Sequence, residues 1–183
     1  AQPPTPRTRP TEPPQSAKRT VTLKDKRVRQ PSWGRAYLAP SLLSGESQHA
    51  YALEVLADII GGGSSSRLYR TLVVENKLAL SAGAYYGADD RGPSRFGIYA
   101  GLKPGVSMET LERKIEEELT KLIDGGVTAS ELARAKKRMQ AQAVFARDSL
   151  SGGARTLGAA LAIGLKVEDV EAWPERIGAV TVE

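Results

Sequence analysis

The chain has 183 residues, 40% of them hydrophobic, with no cysteine, a single histidine and a formal net charge of +5. That length supports one ordinary globular core. The lack of cysteine excludes a disulfide framework and any thiolate metal site, and no run of about 18 apolar residues marks a membrane span or a signal peptide.

The charge is unevenly placed. Residues 1–35 carry nine Lys/Arg against two acids, a balance of +7, whereas residues 36–183 carry seventeen against nineteen, a balance of −2. A nucleic-acid footprint lies on a folded face, with aromatics to stack bases. Here the positive charge lies on a leader whose one aromatic is Trp33, so no nucleic-acid partner is expected.

Six of the eleven prolines (Pro3, Pro4, Pro6, Pro10, Pro13 and Pro14) fall in residues 1–17, a composition that favours extended polyproline II and packs no core. Residues 1–20 are therefore expected to be a Pro-rich basic linker without packed structure. A Pro-rich ligand for a groove-type module, or a basic tail for polyanions, are its functional alternatives. Residues 21–183 then form a single domain.

Alternation at Val21, Leu23 and Val28, and again over Trp33 to Leu38, predicts two short strands bounded by Pro31 and Pro40. Glu46 to Ile60 places Ala52, Val55, Leu56, Ile59 and Ile60 at helical spacing, with Ser44 as N-cap and Gly61 as stop. Ser64 to Ser66 is expected to cap a short helix that ends before Ala79. Ala79–Tyr86 and Ser94–Leu102 are expected as an antiparallel pair joined through Asp89–Pro93.

Helices follow. Met108, Leu111, Ile115, Leu119 and Leu122 form one apolar stripe opposite Glu112, Lys114, Glu116, Glu117 and Lys121. Thr128 and Glu131 spell a capping box ahead of a helix with Leu132, Ala135, Met139, Ala143 and Ala146 on one face. The small-residue run Gly152 to Leu161 predicts close helix packing, and Val167–Val180 a final short helix containing Trp173-Pro174. This order lacks strand–helix alternation. It specifies an α+β architecture, an antiparallel sheet with helices packed on one face.

A hydrolytic zinc takes about three protein ligands and an open position for water. His49 is followed by Ala52 and Leu53, so it belongs to neither H-E-x-x-H nor H-x-x-E-H, and its ordinary place is a solvent-facing position near a helix start. Gly61–Ser66 is followed by Arg67-Leu68, which fits neither a P-loop nor a dinucleotide loop. Asp89-Asp90 sits in a turn, where carboxylates bond local backbone. No catalytic residue and no metal ligand is expected in this chain.

Five segments stand in a shared order: Tyr37-Leu38-Ala39-Pro40-Ser41 before the first helix, Gly63-Ser64-Ser65-Ser66-Arg67-Leu68-Tyr69-Arg70, Leu78-Ala79-Leu80-Ser81, Phe96-Gly97-Ile98-Tyr99-Ala100, and Gly126-Val127-Thr128 with Glu131 to Lys136. In that order they resemble the second half of a pitrilysin/insulinase-type zinc peptidase.

The resemblance spans about Val21 to Thr181. It implies a half-domain, non-catalytic, that forms the chamber wall opposite a separate half carrying H-x-x-E-H and the zinc. The expected partners are that catalytic half-domain, on the same or another chain, and a peptide substrate. A structural or assembly subunit without proteolytic activity is the alternative.

Related second halves often carry Arg and Tyr in a pattern like L-R-E-x-x-G-L-A-Y-S, where the pair helps to stabilise an oxyanion. Val73 and Leu80 stand at those positions here. The candidate substrate-binding residues are instead Arg70, Tyr85 and Tyr86, with one of the tyrosines expected to pack in the sheet. The resemblance also implies a C-terminal truncation, with a further helix, alone or with a strand, after Glu183. By analogy with exported relatives it implies the periplasm, the cytoplasm being the other possibility.

Overall fold

The computed structural model describes residues 13, 15–146, 148–149 and 151–182. Most of the Pro-rich stretch, 1–12 and Pro14, lies outside the described residues. Residues 15–24 are exposed and form neither helix nor strand.

The first expected strand does not form. Val21 is 91% exposed and Leu23 78%, and Asp25 turns the chain by accepting from the backbone N–H and the guanidinium of Arg27 at 2.8 and 2.9 Å. Alternation alone specifies a strand only where a ladder is available, and here the backbone is spent on a turn.

Among the described residues the sheet therefore has three strands, β1 (Ser32–Ala39), β2 (Ala79–Tyr85) and β3 (Ser94–Leu102), in the order β1-β3-β2. Both pairings are antiparallel, with Ile98 of β3 opposite Arg35 of β1 and Ala84 of β2. The register shifts between Ala79 and Ser81, which leaves Leu80 exposed at an irregularity. Alternate residues of β3, Phe96, Ile98, Ala100 and Leu102, point into the core.

Helix α1 (Ala50–Gly61) follows a single 3₁₀ turn at Ser47–His49. Ser44 does not cap it; its backbone pairs with Ser41 instead. Nor is its burial a single stripe. Ala57 and Ile60 join the sheet core, with Leu72, Leu111 and Ile115, whereas Val55 and Ile59 join a second core with Ala135, Met139 and Ile177. Ala52, expected on the buried face, is exposed. The C-terminal end of α1 lies so close to β2 that a Cβ on Gly61 would collide with the backbone of Gly83 and Ala84.

The next helix is α2 (Arg67–Tyr69), continued by a π-helical segment over Arg70–Glu75. Ser66 precedes it without capping it, because its hydroxyl donates to the carbonyl of Gly63 at 2.6 Å. The segment closes with Asn76 bonding Thr71 through both its backbone N–H, at 3.0 Å, and its side-chain amide, at 2.8 Å. Lys77 then turns the chain in the left-handed region at φ 52.

Helix α3 (Met108–Gly125) is capped by Ser107, which accepts from the Thr110 N–H at 3.2 Å, and buries Leu111 and Ile115 completely. The capping box before α4 (Ala129–Ala146) is present: Glu131 Oε2 accepts from the Thr128 N–H at 2.9 Å, and Thr128 Oγ1 from the Glu131 N–H at 3.2 Å.

Helix α5 (Gly152–Ile163) departs from expectation. Only Ala160 is buried among its described residues, and a Cβ on Gly153 or Gly158 would meet nothing within 4 Å, so those two glycines serve no close helix contact. The expected final helix is two, α6 (Val167–Glu171) and α7 (Trp173–Ala179), the second with Pro174 in its first turn and Ile177 fully buried.

Candidate functional site

The sheet has one face in the core and one open. On the core face β1 sends Trp33 to the apolar cluster and Arg35 to α3, where its guanidinium pairs with Glu112 at 3.4 Å and with Glu116. The Glu116 carboxylate, with a smaller effect of the Tyr37 hydroxyl, raises the Arg35 guanidinium above its ordinary range.

The open face is set by the alternate positions. Across the three strands one row reads Gly34, Tyr99, Gly83 and the next Ala36, Gly97, Tyr85. Each tyrosine lies over the glycine directly opposite it on the neighbouring strand: a Cβ on Gly83 would meet the Tyr99 ring, and one on Gly97 the Tyr85 ring. The result is a floor of small residues carrying two exposed aromatic rings, Tyr85 at 53% and Tyr99 at 45%. The Gln30 amide and the Ser81 hydroxyl lie over Gly101 at the end of this floor.

Rings of this kind give apolar area at small rotamer cost and a hydroxyl for hydrogen bonding. β1 and β2, as the outer strands of the described sheet, carry backbone donors and acceptors of the kind that pair with an added strand. Together these features suit an extended polypeptide.

The three residues expected to bind substrate do not converge. Tyr85 stands on the open face. Tyr86 turns to the other side, donating its hydroxyl to the Pro40 carbonyl at 2.6 Å, with its ring 6.4 Å from Phe96. Burial pushes the Tyr86 hydroxyl up to about 12, helped by the nearby carboxylates of Glu54 and Asp90. Arg70 is exposed and paired with Glu75 at 3.3 Å. It lines a separate polar cleft beside Arg67, Arg134 and Arg138.

In that cleft Arg67 is held by both Glu131 oxygens at 2.6 and 2.7 Å, a bidentate pair that brings the Glu131 carboxyl down to about 2. Arg138 pairs with Asp58, whose carboxyl is nonetheless raised because burial outweighs the attraction.

Sequence reasoning did not single out Tyr99. Its signal was present, because the residue between two core positions of a strand faces the opposite side. The positions of the Arg and Tyr pattern are equally definite: Val73 packs against the core and Leu80 is exposed. His49 lies 3.5 Å from Glu46 at an exposed site. Among the described residues no three His, Cys, Asp or Glu side chains are grouped as a metal would require.

The fold and this arrangement define a half-domain of the metallopeptidase type. The family model for the peptidase M16 inactive domain matches residues 1–139, and the chain belongs to that family. It is 33% identical over 104 residues to an uncharacterized zinc protease of Streptomyces coelicolor, covering 56% of this chain and 22% of that protein. A protease from Helicobacter pylori superposes with a TM-score of 0.75 at 25% identity, over 86% of this chain and 37% of the other. An inactive peptidase domain from Bordetella parapertussis superposes at 0.72 and 22% identity, over 88% and 85%. The chain spans about a quarter of the length of the curated relatives it matches.

Proposed function

We propose that this chain is the non-catalytic wall of a zinc endopeptidase, closing a peptide chamber against a separate half that carries H-x-x-E-H and the zinc. The open sheet face is the surface turned to the substrate, with Tyr85 and Tyr99 as its contacts. Membership of the inactive-domain family supports the class of protein. The single observation that carries the surface assignment is a sheet face left uncovered by described residues, paved with small side chains and bearing two exposed tyrosines.

On this reading the chain binds unfolded peptide by backbone pairing and aromatic contact, and the bond is broken by groups on the partner half. Tyr86 supports the wall through its Pro40 bond. Arg70 tunes the charge of the neighbouring cleft rather than that of the peptide face.

The test mixes the chain with a catalytic half and follows cleavage of a fluorogenic peptide. Cleavage is expected only in the mixture. Replacing both Tyr85 and Tyr99 by alanine is expected to lower kcat/KM by about tenfold, equivalent to about 1.4 kcal/mol. Stoichiometric zinc in the isolated chain, with peptide cleavage abolished by a chelator, would overturn the reading.

An assembly subunit without proteolytic activity is favoured by one observation, the Val73 and Leu80 that replace the Arg and Tyr of related second halves. A mixture that associates but never cleaves would select it.

A further inference from the structure

A second cavity lies away from the open sheet face. It occupies about 780 Å³ between α1, α4, α5, α6 and α7, with the β2–β3 connection at one end, a volume typical of a small-molecule site. Its body is apolar, including Met139, Ala143, Leu157 and Trp173, and every charged side chain among its described lining residues is an acid: Glu54, Asp89, Asp169 and Glu171.

Asp169 is already paired, with Arg176 at 3.0 Å. Among the described residues Glu54 has no cationic partner. One of its oxygens accepts from the Trp173 indole N–H at 2.9 Å, joining α1 to α7, and no described side chain bonds the other.

Burial and the charge of Asp89 push the Glu54 carboxyl up to about 7, against the opposing effect of the Trp173 bond. Such a displacement is the cost of a desolvated carboxylate without a counter-charge. A bound cation would relieve it. The groups around Glu54 are Trp173, Asp89, Tyr86 and Tyr51, the last with Arg176 on its hydroxyl at 2.6 Å.

We propose that this cleft binds a small organic cation, a primary ammonium on an apolar body, with the ammonium between Glu54 and Asp89 and the body against Met139, Ala143, Leu157 and Trp173. An anion is excluded by the acids at the mouth. A neutral ligand of the same shape gains the apolar contact but leaves the carboxylates unpaired. The inference stands apart from the chamber reading, and its test needs no catalytic partner.

The experiment titrates the 183-residue chain with 4-phenylbutylamine, 4-phenylbutanol and 4-phenylbutyrate. Calorimetry and the Trp173 indole N–H resonance are followed together. The amine is expected to bind saturably and shift that resonance, the alcohol to bind at least about tenfold more weakly, and the carboxylate not to bind. Glu54→Gln, which keeps the shape and the acceptor for Trp173, should weaken the amine about tenfold and leave the alcohol unchanged. Ala143→Leu, which fills the body of the cleft, should weaken both. Equal affinity for amine and alcohol, amine binding unaltered by both variants, or no saturable amine binding would each overturn the proposal.

Discussion

Two glutamates of this chain are displaced from the ordinary carboxylate range in opposite directions, and they pull stability opposite ways with pH. Glu131, brought down to about 2 by Arg67 and the Thr128 cap, contributes stability that is complete above its unfolded value of 4.5 and is lost as pH falls toward 2. Glu54, pushed up to about 7, binds its proton more tightly folded than unfolded, so it costs stability as pH rises from 4.5 to 7 and at all pH above. Glu131→Gln is therefore expected to destabilise the chain at pH 7 by about 1–2 kcal/mol, a penalty that shrinks as pH approaches 2. Glu54→Gln should raise stability at pH 8 by about 1 kcal/mol or more and change little at pH 4. Urea unfolding at pH 4 and pH 8 measures both. A Glu54→Gln variant with the parent's stability at both pH values would show that the carboxylate carries no desolvation cost in the folded chain.

At the scale of elements, glycine has opposite meanings in two helices. In α1 the absence of a side chain on Gly61 lets the helix end rest on β2, and Gly61→Ala forces the two apart. The expected loss is about 3 kcal/mol or more. In α5, Gly158 faces open space, so Gly158→Ala is expected to stabilise by up to about 1 kcal/mol through helix propensity alone. Thermal melts of the two variants check the contrast, and a destabilising Gly158→Ala would mean that another surface approaches α5.

Sequence carried much of this level. The Thr128–Glu131 box, the stripe of α3 and the alternation of β3 are each local signals, and each specifies its element. Three readings needed information from outside the segment. Val21–Val28 alternates like a strand but has no partner. α1 looks one-sided but serves two cores. The Gly/Ala run of α5 looks like a packing face but lines a cleft. The candidate sites divide in the same way. Tyr85 and Tyr99 are legible as alternate strand positions once β3 is placed, whereas Glu54 and Trp173 meet across 119 residues of chain, and no local pattern announces such a pair.

Across the whole molecule, α1 is the shared wall between the two cores, giving Ala57 and Ile60 to the sheet and Val55 and Ile59 to the helical cluster. Neither core can lose its packing without exposing that helix, so the domain is expected to unfold as one cooperative unit. The two tryptophans report the two sides separately. Trp33 packs against the sheet core, and Trp173 against the helical core. In the single-tryptophan variants Trp33→Phe and Trp173→Phe, fluorescence melts are each compared with the far-ultraviolet melt of the same protein. Coincident midpoints are expected within each variant. Ile177→Ala, which empties a fully buried site between α7 and α4, should lower both by the same amount, from a loss of about 2–5 kcal/mol. If instead the Trp173 signal moved to lower temperature while Trp33 stayed in place, α6 and α7 would be a separately melting appendage, and the amine cleft they enclose would open without unfolding the sheet.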